Sequence, residues 1–263
     1  MKGKFGITVL GSGSRGNASV IHGPDGAILL DAGFSAKEIE KRLQYSGIEP
    51  QSIQAVLITH GHGDHTKGCR AFADRYKICS YFTAATRHEG ERCKFLPEKQ
   101  AVIAPGSSFE IAGITVEPFT LPHDAVDTVG YVFQAYSRKI GVATDLGHLN
   151  MLARQKLKGC TLLVLESNHD PQMLQASTRP IQLKRRILSR HGHLSNADAL
   201  SALDELLTEE STSLVLAHLS SECNNRELVE KLAAEKLAGL NRQDIFLRIA
   251  VQDQPLATLW AEE

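Results

Sequence analysis

Between residues 60 and 65 the chain reads His60-Gly61-His62-Gly63-Asp64-His65, three imidazoles and one carboxylate within six positions. Imidazole and carboxylate are borderline and hard donors, which suit Zn, Fe or Mn rather than Cu(I) or Ca. The alternating glycines free the backbone to turn neighbouring side chains toward one point. A metal site is one reading of this block, and a polar turn carrying surface histidines is the other. More distant residues favour the first. His123 follows Leu121-Pro122, Asp145 follows Gly141-Val142-Ala143-Thr144, and His218 follows Leu214 to Ala217, so each stands at the end of a short apolar run. Runs of that length read as buried strands. Strand ends along one edge of a packed sheet form a common rim, where ligands from distant positions converge.

The elements that must position these residues follow from the same pattern. Strands are expected at Phe5–Leu10, Ala18–His22, Ala27–Leu30, Ala55–Thr59, Lys77–Phe82 and Leu162–Leu165, with a last one at Ile245–Val251. Hairpins are expected from Phe109–Ile111 with Thr115–Phe119, and from Val129–Ala135 with Lys139–Ala143. Helical spacing runs through Ser35–Tyr45, Gly68–Tyr76, Ala84–Cys93, Ile181–Arg190, Ala197–Leu207 and from Glu222 or Asn224 to Ala238. A polar C-terminus follows the last strand. Asp31 closes the third strand and either caps the next element or accepts the second N–H of a metal-ligating imidazole. The loop Gly11-Ser12-Gly13-Ser14-Arg15-Gly16-Asn17 lacks the GK[ST] ending of a P-loop and the helix of a dinucleotide fingerprint. It is either a linker or an anion contact through its amides, Ser12, Ser14, Arg15 and Asn17. The two halves, roughly residues 1–125 and 126–263, are expected to pack as layers of one domain spanning 1–263.

Composition narrows the class. The 263 residues carry a net charge of −1, which argues against a protein that coats nucleic acid electrostatically while leaving room for a local basic groove. The cysteines, at 69, 79, 93, 160 and 223, are odd in number and form no CxxC pair, against a disulfide framework or a zinc ribbon. Cys69 lies four residues after His65 and reads as a buried thiol rather than a ligand. The apolar part of MKGKFGITVLGSGS is too short for a signal peptide, and no apolar run reaches the ~18 residues of a membrane span. A soluble protein of the reducing cytoplasm is expected, without membrane contact and of undetermined oligomeric state. Lys184, Arg185, Arg186 and Arg190 crowd one helix, either as a solvated face or as a track for a nucleic-acid backbone.

Taken in order, Asp31, the His60–His65 block, His123, Asp145 and His218 resemble the metallo-β-lactamase superfamily, over essentially the whole chain. The resemblance implies an α/β fold: a four-layered αββα sandwich, two mixed sheets flanked by helices, with a dinuclear site on its rim. The stretches GSGSRGN at 11–17, LESNHD at 165–170 and GHLSNADAL at 192–200 resemble the YycJ/WalJ-like branch, whose members are regarded as DNA-processing hydrolases similar to 5′ exonucleases. His193-Leu194-Ser195 before a helix also looks like the His-Ser motif of tRNA 3′-processing enzymes. Neither the cap domain of some nuclease members nor the long arm of the tRNA enzymes has room within these residues.

Carried over by position, the resemblance assigns His60, His62 and His123 to one divalent ion. Asp64, His65 and His218 go to a second, and Asp145 bridges. Two ions, Zn or Mn with Fe as a third choice, would share a hydroxide of lowered pKa as nucleophile. Asp64 would help to orient it and Asp31 would support a ligand histidine from behind. His193 is the candidate proton donor to the leaving group, and Ser195 either binds phosphate at the helix start or only caps it. Asn168 and His169 are expected to contact substrate or support the site. The expected activity is that of a binuclear phosphodiesterase acting on DNA ends. The rivals are a small cyclic phosphodiesterase of the same fold, a thioester or amide hydrolase, and a non-enzymatic regulatory protein stabilised by metal. Steep salt dependence marks the nuclease, and indifference to His193→Ala would mark the thioester or amide hydrolase.

Overall fold

The computed structural model describes residues 4–261; residues 1–3, the start of the stretch tested for a leader, and residues 262–263 lie outside it. The first sheet holds β1 (Gly6–Gly11), β2 (Ala18–Gly23), β3 (Gly26–Leu30), β4 (Ile53–Leu57), β5 (Cys79–Thr83) and β6 (Gln100–Ile103) in that order. The second holds β7 (Phe109–Ile111), β8 (Ile114–Thr120), β9 (Val129–Ala135), β10 (Arg138–Ala143), β11 (Leu162–Glu166), β12 (Ser213–Ala217) and β13 (Phe246–Ile249). β14 (Leu259–Trp260) returns to pair antiparallel with β1. Each sheet is antiparallel on one side and parallel on the other: β3 to β6 run parallel, as do β10 to β13.

Period-2 alternation assigns each strand's side chains to two different cores. Ile28 and Leu30 of β3 face the other sheet, where they meet Val142 and Val164; Ala27 and Leu29 face outward. There they pack on Ile39 and Leu43 of α1 (Ala36–Tyr45) and, past the four-residue turn α2 (Gly63–Thr66), on Phe72 of α3 (Cys69–Tyr76). α4 (Ala84–Cys93) adjoins β5 and β6. Outward from the second sheet, Leu163, Leu165, Leu214 and Leu216 pack on α5 (Met151–Leu157), α8 (Asn196–Leu206) and α9 (Arg226–Gly239). The short α6 (Pro171–Ala176) and α7 (Ile181–Ile187) come after β11. Three apolar interfaces thus separate four layers, the αββα sandwich expected.

The structure shifts several sequence expectations. The change of sheet falls between Ile103 and Phe109 rather than near residue 125, and β14 lies in the polar C-terminus, where no element was read. β6, α2, α5 and α6 had no reading because four to seven residues are too few to show a period. α7 stops at Ile187, three residues short of Arg190, because the chain turns through Ser189 to reach Gly192 and His193. Cys69 is buried with its thiol toward Ser80, and burial pushes its pKa up to about 12, so it is inert. Among the described residues no helix is long and apolar enough to cross a membrane.

Candidate metal centre

The parallel strands of both sheets end on one rim. Asp31 follows β3, the segment Ile58-Thr59-His60 follows β4, Asp145 follows β10 closely, Glu166 ends β11 and His218 follows β12. Asp31, Asp145 and His218 all adopt left-handed backbone angles, φ 58°, 62° and 56°. Such angles are costly away from glycine and cluster where a side chain must be aimed. Three loops are knitted together beneath them. Asn17 N–H donates to Asp64 O at 2.8 Å, Ala32 N–H to His65 O at 2.8 Å, and Gly33 N–H to Asn17 O at 2.9 Å. Gly33 has to be glycine, since a Cβ there would lie 1.7 Å from Asp64 O.

The imidazoles share one orientation rule. His65 Nδ1 meets Asp31 Oδ2 at 2.7 Å and His218 Nδ1 meets Glu166 Oε1 at 2.8 Å. His123 Nδ1 meets the carbonyl of Gly192 at 3.0 Å, and His60 Nδ1 meets Thr59 Oγ1 at 3.0 Å. An Nδ1–H committed outward leaves the Nε2 lone pair to point inward. The inward atoms go unanswered: His60 Nε2, His123 Nε2, His218 Nε2 and Asp145 Oδ2 are buried with no hydrogen-bond partner. Buried polar atoms are nearly always paired, so a converging set of orphans is what a cation site looks like without its cation.

Candidate ligand atoms lie within 4.8 Å of one another in the groups His60, His62, His123; His60, His65, Asp145; and Asp64, His65, His218. Asp145 stands between the outer two, 3.2 Å from His65 Nε2 and 3.9 Å from His123 Nε2. The chemistry of the donors, nitrogen and carboxylate oxygen, fits a borderline divalent ion. Electrostatics agree. Burial lowers the pKa of His60 and His123, keeping them neutral as ligands must be. Burial opposes the charged forms of His65 and His218, but Asp145, with Asp31 at His65 and with Asp64 and Glu166 at His218, outweighs it, lifting His218 to about 10. Asp145 in turn is held well below the carboxylate range: burial works against its charge, and His218 and His65 prevail. A divalent cation among these carboxylates would take the place of those protons.

Sequence reasoning left Glu166 out of the candidate site. It is fully buried, and its Oε1 accepts from both His218 Nδ1 and His193 Nδ1, each at 2.8 Å. Its Oε2 accepts the N–H groups of Leu146 and Leu194 at 2.9 and 3.1 Å. Burial would raise its pKa, but His193 and His218 carry it down to about 2. Despite burial, the same carboxylate raises the pKa of His193, whose side chain is 22% exposed at the mouth of the site. The available signal was an acid closing an apolar strand, as at Asp31. Asp124 was also missed; it lies 3.3 Å from His123 Nε2 and is bound by Arg186.

The expected substrate residues divide. Ser14 is exposed at the mouth. Ser12 is turned inward, receiving the His218 N–H at 3.0 Å and donating to Asn17 Oδ1 at 2.9 Å. Asn17 also faces inward, with Nδ2 3.0 Å from His65 Nε2. Asn168 is buried and holds the His218 carbonyl at 2.9 Å while lining a small pocket with His193. Ser195 caps α8, accepting from Asp198 N–H at 3.1 Å and donating to Asp198 Oδ2 at 2.6 Å. His169 is buried among the supports of β11 with both ring nitrogens unpaired. Of the basic helix, Arg186 borders the small pocket, while Lys184 is spent on the carbonyls of Gln175 and Ser177, and Arg190 on His148.

A four-layered sandwich with histidines and aspartates gathered at its rim defines a metallohydrolase class, and the chain belongs to it: a profile described as beta-lactamase superfamily domain matches residues 27–219. Among individual relatives, the chain is similar to Exodeoxyribonuclease YycJ of Bacillus anthracis, 33% identical over 233 residues and 88% of each chain. It is similar also to Exodeoxyribonuclease WalJ of Streptococcus pneumoniae, 31% identical over 238 residues, 89% of this chain and 88% of the relative. The fold matches the crystal structure of the metallo-beta-lactamase fold protein YhfI from Bacillus subtilis with a TM-score of 0.73 at 15% identity, covering 96% of this chain and 99% of that one. The chain is accordingly an enzyme of the hydrolase kind, on the nuclease and phosphodiesterase side of the superfamily.

Proposed function

We propose that the chain is a binuclear, metal-dependent exonuclease that removes nucleotides from the 5′ ends of DNA. The observation that carries this reading is the pair of ligand clusters meeting at Asp145, open to solvent on the side where His193 stands. The printed names of the relatives, exodeoxyribonucleases, support DNA as the substrate. In this reading His60, His62 and His123 would hold one divalent ion and Asp64, His65 and His218 the other, with Asp145 available to both. The ions, Zn or Mn with Fe as a third choice, would supply Lewis-acid charge to the phosphate and lower the pKa of water at the site. Asp64, the more exposed of the two ligand carboxylates, orients the attacking water. His193, with Nδ1 committed to Glu166, presents Nε2 to the leaving oxygen and gives it a proton. Asp31 and Glu166 hold ligand rings in place from behind. All five cysteines are free, which fits a cytoplasmic enzyme.

The test is hydrolysis of end-labelled double- and single-stranded DNA and RNA beside bis(p-nitrophenyl) phosphate. The protein is stripped of metal and refilled with Zn or Mn, and His62→Ala is the control. Metal-dependent release of mononucleotides from DNA 5′ ends, lost in the variant, is the expected result. Turnover of the small ester with every nucleic acid intact would overturn the reading and leave a small-phosphodiester hydrolase in its place.

A further inference from the structure

Two hollows open beside the metal centre, and they differ in size. The smaller, about 110 Å³, is lined by His193 and Asn168 with Arg179 and Arg186. The larger, a groove of about 900 Å³, begins at Gly61, Gly63 and Asp64 of the metal loop and runs out past α2, α3 and the end of α4. Ser14 borders both, so the two hollows adjoin across the site. Arg15, Lys67, Arg70 and Lys94 line the groove, against only Asp64 and Asp74. These four cations come from separate segments: the loop after β1, the turn after α2, helix α3 and the residue after α4. Arg15 and Arg70 lean on Asp253 and Asp74, at 3.3 and 3.7 Å, while Lys67 and Lys94 are exposed and make no ion pair among the described residues. In a chain of net charge −1 this is a local concentration of positive charge at the mouth of a phosphate-cleaving site.

We infer that this groove holds the DNA strand that the enzyme retains, gripping its phosphates through Lys67, Arg70, Lys94 and Arg15, while the small hollow takes the nucleotide that leaves. The inference rests on the exonuclease reading. Its logic is the direction of bond cleavage. The water oxygen bonds to phosphorus, the P–O3′ bond breaks, and its electron pair stays on O3′, which takes the proton from His193 Nε2. The leaving nucleotide therefore lies on the His193 side, where space is small, and the phosphate stays with the strand on the opposite side, where the groove is. A 3′-end exonuclease cleaving the same bond would need the long strand on the His193 side. No aromatic ring is exposed along the groove: Phe95, its one aromatic lining residue, is buried. The grip is on the backbone and blind to sequence.

The metal-loaded double variant Lys67→Ala/Lys94→Ala tests this. It is compared with wild type and with Lys231→Ala, which removes a charge from α9 on the far layer. Three substrates are used: a long DNA strand of about 20 nucleotides, a dinucleotide, and bis(p-nitrophenyl) phosphate. Losing two phosphate contacts should lower kcat/KM on the long strand by about tenfold and make its log–log dependence on salt shallower by roughly 1.4. On the dinucleotide and the small ester the loss should be far smaller. Equal loss on all three substrates, or a salt slope matching wild type, would overturn the assignment of the groove. A dinucleotide affected as much as the long strand would show that the hollow binds a compact anion, which also overturns it. A wild-type enzyme that cuts the small ester and no DNA would instead remove the exonuclease reading and this inference with it.

Discussion

Asp31 and Glu166 occupy matching places on the two sheets, yet their surroundings differ. Each is buried at the end of an apolar parallel strand, and each takes the Nδ1 proton of a candidate ligand histidine, His65 at 2.7 Å and His218 at 2.8 Å. Asp31 spends the rest of its capacity inward, accepting Thr59 N–H at 2.9 Å and the Thr59 hydroxyl at 3.0 Å. Glu166 shares one oxygen between His218 and His193, and His193 reaches solvent. One carboxylate closes its side of the site. The other joins a ligand position to a titrating group at the mouth. In the proposed mechanism the same device, an acid behind an imidazole, would serve holding on one sheet and proton handling on the other.

Breaking the second device should have the larger effect on catalysis. Glu166→Gln removes the charge that raises the pKa of His193. An acid acts only below its pKa, so activity is present at lower pH and lost as pH rises through that value. Without the carboxylate the value falls, and the alkaline limb of kcat against pH should move to lower pH. The loss in kcat at neutral pH should be about 10²–10⁴-fold, the span of a general acid. The pH profile of DNA hydrolysis with saturating metal checks this, since its alkoxide leaving group needs the proton; an alkaline limb that stays in place would erase the distinction between the two carboxylates. Asp31→Asn should act differently. The amide nitrogen donates and accepts nothing, and the one remaining oxygen cannot serve both His65 and Thr59, so metal affinity should drop by about 10–100-fold. Excess metal should restore most of the rate, with the pH profile of the wild type. Metal titrations of both variants place them on one scale.

How much of this site could be read beforehand depends on whether its parts are local. The His60–His65 block was legible because four donors fall within six positions, and Asp31, Asp145 and His218 because each follows an apolar run. Glu166 follows one too, in Leu162-Leu163-Val164-Leu165-Glu166. What gives it meaning is the parallel pairing of β11 with β12, which sets Glu166 beside Ala217 and brings His218 within reach. Register between strands about fifty residues apart leaves no mark in either strand. Side-chain direction was hidden for the same reason. Ser12, Asn17 and Asn168 were placed near the rim, but their inward turn follows from loops that touch only in the folded chain. The long helices and both hairpins were legible through their periods. β14 and α2 were not, being two and four residues long.

The smallest expected effect probes how the closed side is built. Thr59 Oγ1 donates to Asp31 and accepts from His60 Nδ1 at 3.0 Å, so one hydroxyl links the supports of two candidate ligands. Around Glu166 the comparable bonds come from backbone N–H groups, those of Leu146 and Leu194, which substitution cannot remove. Thr59→Val keeps the shape and deletes the link. His60 Nδ1 is then buried without an acceptor, while Asp31 still has the residue-59 N–H and His65. Leaving one buried donor unpaired costs about 1–3 kcal/mol. For a chain of this size each kcal/mol lowers Tm by roughly 2–4 °C. Calorimetry of the metal-loaded protein should show that fall, with a change in kcat far below that of Glu166→Gln. A kcat loss as large as that of Glu166→Gln would mean that both sides take part in proton handling, because the only polar group removed lies behind His60 and Asp31, away from His193.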